Sequence, residues 1–161
     1  MTGASPHPYA RFLPPIRAKC RRLLGSSSAA DDVAQETLLR LWKSGLAEGG
    51  DPRTVMAWLY RTCTRLAIDV LRERRRTGSA VIDLEATPCA IDPRACMEAR
   101  AAIAMLAGAV PQDELAVVVL CRVDGLAQPE AAQVLGISER TVRRVLDRFD
   151  ERTETMRKEL T

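Results

Sequence analysis

The sequence predicts an all-α fold: two small helical domains joined by a flexible linker, the second containing a helix-turn-helix. Three observations predict it. Ala, Leu and Arg, all strong helix formers, dominate the 161 residues, while alternating runs of Val, Ile and Thr are scarce. Apolar residues recur at spacings of three and four through residues 53–76 and again through 142–149. Between these stretches, residues 77–95 hold Pro88 and Pro93 and sustain no helical period. The division is therefore a first domain over 1–76, an acidic linker over 77–95 and a second domain over 96–161.

Each element follows from local signals. Pro14 and Pro15 limit where the opening helix begins, and Gly25-Ser26-Ser27-Ser28 ends it. A second helix starts between Ala29 and Asp32, with acids at the positive end of its dipole, and runs through DDVAQETLLRLW to about Ser44. Residues 45–52, ending in Gly49-Gly50-Asp51-Pro52, form a loop, and a long helix follows over 53–76. The linker carries Asp83, Glu85 and Asp92. An Ala-rich helix over 96–109 opens the second domain, Val110-Pro111 breaks it, and three further helices follow.

Bulk composition excludes several classes. A formal net charge of +3 is too small for binding nucleic acid by bulk charge, so local distribution must decide. The five cysteines (Cys20, Cys63, Cys89, Cys96, Cys121) show no C-x-x-C interval and read as reduced, buried thiols; a redox or metal role stays open only for Cys89 and Cys96 at the linker. His7 is the only histidine and stands near the start of the chain. No metal ligand set, cofactor loop or nucleophile–base pair is present in the pattern, so no enzyme and no cofactor are expected. The start of the chain lacks the features of a signal peptide, and no apolar run reaches membrane-spanning length; a soluble, cytoplasmic protein is expected.

Local charge is far from modest. On a helical wheel of residues 53–76, Val55, Leu59, Cys63, Leu66 and Val70 form one apolar stripe. Arg61, Arg65, Arg72 and Arg76 form a neighbouring stripe, with Trp58 beside them and Asp69 at the border. Residues 61–76 hold six arginines against two acids and no lysine. Arginine forks onto phosphate and stacks on bases, and an adjacent tryptophan suits unpaired bases. A solvated charged face is the plainer alternative.

The segment QPEAAQVLGISERTVRRVLDRF, residues 128–149, is the most specific signal. Pro129 suits a first helical turn, Ala132 permits a close helix crossing, Gly136 can end the helix in a left-handed conformation, and Ser138 can cap the next helix. Val142, Val145, Leu146 and Phe149 share the core side of that second helix. Arg140, Arg144 and Arg148 recur on the opposite side with Arg143 at the flank, as major-groove insertion requires. The alternative is a helical hairpin whose arginines pair with Glu139, Asp147 and Glu151. Residues 115–123 supply a supporting helix, ended by Asp124-Gly125.

With these pieces in order, the chain resembles the extracytoplasmic-function (ECF) sigma factors of the main bacterial sigma family. DDVAQETLLRLW is similar to the family's polymerase-binding helix, and AWLYRTCTRLAIDVLRERRR to its minus-ten reading helix. VPQDELAVVVLCRVDGLAQPEAAQVLGISERTVRRVLDRF is similar to its minus-thirty-five reading domain. The resemblance implies that Asp32, Gln35, Glu36 and Arg40 face the clamp helices of the polymerase β′ subunit. It implies that Trp58, Arg61, Arg65, Asp69, Arg72 and Arg76 meet the minus-ten element, and that Arg140, Thr141, Arg143, Arg144 and Arg148 meet the minus-thirty-five element. Implied partners are core RNA polymerase (β′ clamp helices and β flap), promoter DNA and an anti-sigma factor, with no membrane insertion. The acidic linker would occupy the polymerase cleft along the RNA path.

The chain also departs from the family pattern. Arg65 stands where Asn is common, the acidic pair Asp113-Glu114 where a basic residue is common, and Arg140 and Arg143-Arg144 where Gly and Lys-Ser are usual. Promoter sequence therefore does not carry over from relatives. Two other functions fit the helices: a helix-turn-helix regulator that does not engage polymerase, and a helical adaptor whose arginine faces meet acidic protein.

Overall fold

The computed structural model describes residues 9–25, 28–78 and 92–161, and these form seven α-helices with short 3-10 and π turns. A 3-10 turn over Ala10–Phe12 leads into α1, Leu13–Leu24, where Pro14 and Pro15 occupy the first turn, whose N–H groups need no helical partner. Helix α2 spans Ser28–Ser44 and α3 spans Pro52–Thr77. Helix α4 spans Pro93–Leu106 and α5 spans Gln112–Val118; α6 and α7 span Gln128–Leu135 and Glu139–Glu159. The all-α expectation, with one helical group on each side of the predicted linker, is met. No helix among the described residues is long and apolar enough to cross a membrane.

Three local differences have physical causes. Helix α4 begins at Pro93 instead of residue 96, because the Asp92 carboxylate accepts the Arg94 N–H and Pro93 fits the first turn. Asp92, grouped by sequence with the linker acids, is thus a helix cap; Asp83 and Glu85 lie outside the described residues. The predicted helix over 115–123 is interrupted: α5 gives way at Val119–Val123 to a π turn in which Asp124 N donates to the Val119 carbonyl. The buried stripe of α3 is Val55, Leu59, Cys63, Ala67, Ile68 and Leu71, with Leu66 and Val70 only partly buried. Helix α3 packs on α1 and α2 along one side and on α5 and α6 along another, so its core face is wider and turned from the predicted stripe.

One continuous apolar core runs through both helical groups. The LAVVVL run at residues 115–120 is buried throughout, with α3 against one flank and α4, α6 and α7 against the others. Cys96 is buried and disulfide-bonded, which corrects the expectation of a reduced thiol there; its partner lies outside the described residues. Cys20, Cys63 and Cys121 are free thiols.

Candidate nucleic-acid interface

Helix α6, a tight turn and α7 build a helix-turn-helix from local chemistry. Gly136 adopts φ +67°, and its left-handed conformation lets Ile137 N reach the Ala132 carbonyl at 3.0 Å. Ser138 caps α7, its Oγ accepting the Thr141 N–H at 3.1 Å. Ala132, at the helix crossing, is buried. Helix α7 buries Val142, Val145, Leu146 and Phe149, the four positions that its sequence period selects.

The opposite face of α7 carries the arginines. Arg140, Arg143 and Arg144 are exposed and make no ion pair among the described residues. The pairing with Glu139, Asp147 and Glu151 that a plain hairpin would use is absent from these positions. Arg148 differs, because its Nη1 donates to Glu114 Oε1 at 2.8 Å across to α5. Thr141 is half-buried, and its hydroxyl lies 2.9 Å from Ser138 Oγ, so it belongs to the cap as much as to the exposed face.

The α3 arginines are in a different state. Arg72 Nε and Nη2 donate to the carbonyls of Ala107 and Val110, each at 2.9 Å, at the C-terminal end of α4. Gln112 Nε2 donates to Asp69 Oδ1 at 2.8 Å and to the Arg65 carbonyl at 3.0 Å. Arg65 also faces Asp113 at 3.4 Å, a pair whose side chains are 45% and 85% exposed. The start of α5 and the end of α4 therefore lie across the face that sequence assigned to the minus-ten element. Arg76 turns to Glu73 on its own helix, 2.5 Å away, and that hydrogen bond holds the Glu73 carboxyl below its ordinary value. Arg61 and the half-buried Trp58 line a groove of about 1080 Å³ between α3 and α6, facing Glu130 and Gln133. The six residues thus share one helix but not one free surface.

The helical groups are also joined by a buried ion cluster that sequence reasoning missed. Lys19 on α1 pairs with Asp124 after the π turn, the side chains being 2% and 1% exposed. Arg22 Nη2 adds a second contact to Asp124 at 3.0 Å. The Lys19 ammonium also lies 4.9 Å from the centre of the Tyr60 ring. No local pattern marks a partner 105 residues away.

On α2, Asp32, Gln35 and Arg40 are exposed and Glu36 is half-buried, with Arg40 Nε 2.9 Å from Glu36 Oε1. Leu39 and Trp42 share the exposed side at 41% and 55% exposure, and sequence analysis passed over both. The run Asp32, Gln35, Leu39, Trp42, spaced by three, four and three, was the available signal. An exposed Trp beside an exposed Leu on a charged helix face is a protein-docking composition.

Comparison with known proteins bears on both helical groups. The sigma-70 region 2 family matches residues 8–77, and the sigma-70 region 4 family matches residues 100–148. The ECF RNA polymerase sigma factor SigL of Mycobacterium tuberculosis is 34% identical over 128 residues, which are 76% of this chain and 71% of SigL. SigE of Mycolicibacterium smegmatis, also an ECF RNA polymerase sigma factor, is 33% identical over 133 residues, 76% of this chain and 49% of its own length. SigG of Mycobacterium tuberculosis is 42% identical over 76 residues, 46% of this chain and 19% of SigG. The chain therefore spans about half of SigE, a smaller share of SigG and most of SigL.

Proposed function

The chain belongs to the sigma-70 family, in its extracytoplasmic-function group, and from this premise we propose that it is an alternative sigma factor that binds core RNA polymerase and directs promoter-specific transcription initiation. The observation that carries the reading is the exposed face of α7 on which Arg140, Arg143 and Arg144 make no ion pair among the described residues, on the second helix of a capped helix-turn-helix. In this reading residues 1–76 and 96–161 are the two working units and 77–95 the connector. The chain catalyses no reaction and needs no cofactor.

The α7 face enters the major groove at the minus-thirty-five element, where each Arg fork on a guanine edge discriminates by about 1–3 kcal/mol. Thr141 and Arg148 flank that face. Asp32, Gln35, Glu36 and Arg40, with Leu39 and Trp42 as apolar anchors, dock on the β′ clamp helices; the second unit meets the β flap. Trp58, Arg61, Arg65, Asp69, Arg72 and Arg76 take the opened minus-ten region. Because Gln112, Asp113 and the Ala107 and Val110 carbonyls occupy that face, α4 and α5 leave α3 before the minus-ten strand binds. Release exchanges the rim hydrogen bonds of Gln112 and Asp113 for phosphate and water, and it must also be driven against the apolar packing of α5 on α3. The protein acts in the cytoplasm, held by an anti-sigma factor until needed.

In-vitro transcription with core polymerase on a promoter library tests the proposal. Defined start sites that depend on this chain support it. Arg144→Ala is expected to weaken promoter binding and relax preference at one base pair, read by footprinting and base-substitution profiles. Gln35→Ala and Glu36→Ala in core-polymerase pull-down check the docking face. Salt-sensitive duplex binding without any start site would leave a helix-turn-helix regulator, and no DNA binding at low salt would leave an adaptor.

A further inference from the structure

Two cysteine sulfurs meet in the core of the first helical group, and none of the interfaces above uses them. Cys20 on α1 and Cys63 on α3 are each 1% exposed, and their Sγ atoms lie 2.9 Å apart. That separation is closer than an ordinary contact between two sulfurs and longer than a disulfide bond. Lys19, the residue before Cys20, favours a thiolate at the pair, and its own ion-pair partner Asp124 opposes it. The Cys20 thiol is pushed up by its hydrogen bond with Cys63 and then by burial, while the same hydrogen bond lowers Cys63 against its own burial.

We propose that Cys20 and Cys63 form a reversible dithiol–disulfide site, oxidised by a peroxide or an equivalent two-electron oxidant, that staples α1 to α3. On local opening Cys63 releases its proton to water and the thiolate attacks one peroxide oxygen; the O–O bond breaks, hydroxide leaves, and Cys63 becomes a sulfenic acid. The Cys20 thiol gives its proton to that hydroxide and attacks the Cys63 sulfur. The S–S bond forms, the S–O bond breaks, and the departing hydroxide takes up the proton that Cys63 released to water. Two thiols and one peroxide thus yield one disulfide and two waters, with both electrons passing to the peroxide.

The sulfurs are already nearly in contact, so the bridge needs only a small approach of the two helices. It closes a loop between positions 43 apart in sequence, which restricts the unfolded chain. Burial makes the reaction depend on local opening of α1, so mild denaturant should accelerate it. The site stands on the core of the first helical group alone, so the outcome of the transcription tests leaves it untouched.

The reduced full-length chain is treated with hydrogen peroxide, unfolded in an alkylating agent, digested and mapped by mass spectrometry. The expected result is a Cys20–Cys63 linked peptide within a monomer, lacking two hydrogens and lost on reduction with dithiothreitol. Oxidation is expected to raise the melting temperature by roughly 10 °C. In a Cys96→Ala background, which removes the bridge already present at Cys96, that rise should vanish in Cys20→Ala and Cys63→Ala and persist in Cys121→Ala. If the alanine variants do not fold, peptide mapping of the unaltered chain decides. Recovery of both cysteines as free thiols after peroxide, or linkage of either to Cys121 or to a second chain, would overturn the assignment.

Discussion

Asp124 stands where the two helical groups meet, and its surroundings decide its worth. Its carboxylate is enclosed by Lys19 and Arg22 of α1, and the Lys19 side chain has almost no contact with solvent. Removing the carboxylate strands a buried ammonium, which costs far more than the intact pair contributes. Asp124→Ala is therefore expected to lose about 3–5 kcal/mol in urea denaturation. Glu73 and Arg76 form the opposite case, since both are fully exposed. Glu73 has its carboxyl lowered from 4.5, so what the pair adds is present above that value and fades as pH falls through the lowered one. Solvent screens such pairs, and Glu73→Gln should leave the denaturation midpoint unchanged at neutral pH. Two ion pairs that look alike in composition thus differ through burial alone, which residue identity does not reveal.

At the scale of the element, the turn between α6 and α7 behaves as its residues dictate. A Cβ on Gly136 would meet nothing within 4 Å, so the strain of Gly136→Ala lies in its positive φ and not in crowding. The expected loss is about 1 kcal/mol, measured by thermal or urea unfolding, with the arginine face of α7 unaltered. A much larger loss would mean that the turn also carries tertiary contacts. This element was legible from sequence because every signal in it is local: the cap, the left-handed glycine and the apolar period all lie within a dozen or so residues. Helix α3 was less legible. Its helical period was clear, but the stripe predicted through Leu66 and Val70 is only partly buried, while Ala67, Ile68 and Leu71 are fully so. A helix gripped from two sides buries more than one stripe, and the second set of neighbours lies far away in the chain.

For the whole molecule, the shared core and the covered α3 face are the main facts. Helices α3 and α5 press on each other through apolar contacts beneath a polar rim formed by Arg65, Asp69, Gln112 and Asp113. The rim pair of Arg65 and Asp113 is largely in solvent, so its removal should change stability by less than about 1 kcal/mol. Under the proposed function, Asp113→Ala should nevertheless tighten binding of a single-stranded minus-ten oligonucleotide, because it frees Arg65 and removes a like charge from the DNA path. Fluorescence anisotropy at fixed salt measures this; unchanged affinity would show that α5 does not limit access. Because one core serves both groups, the chain is also expected to melt in a single transition.

The sequence by itself determined that the chain is helical, the helix-turn-helix with its Gly136 turn and Ser138 cap, and the resemblance that led to the family, because helical period, proline placement and capping chemistry act over one or two turns. Only the tertiary structure decided which arginines are free. It left Arg140, Arg143 and Arg144 in solvent, turned Arg72 onto backbone carbonyls of the other helical group, and drew Lys19 to Asp124 across 105 residues. A charged side chain's partner depends on which surfaces meet after the chain has folded back on itself, and no short-range pattern encodes that meeting.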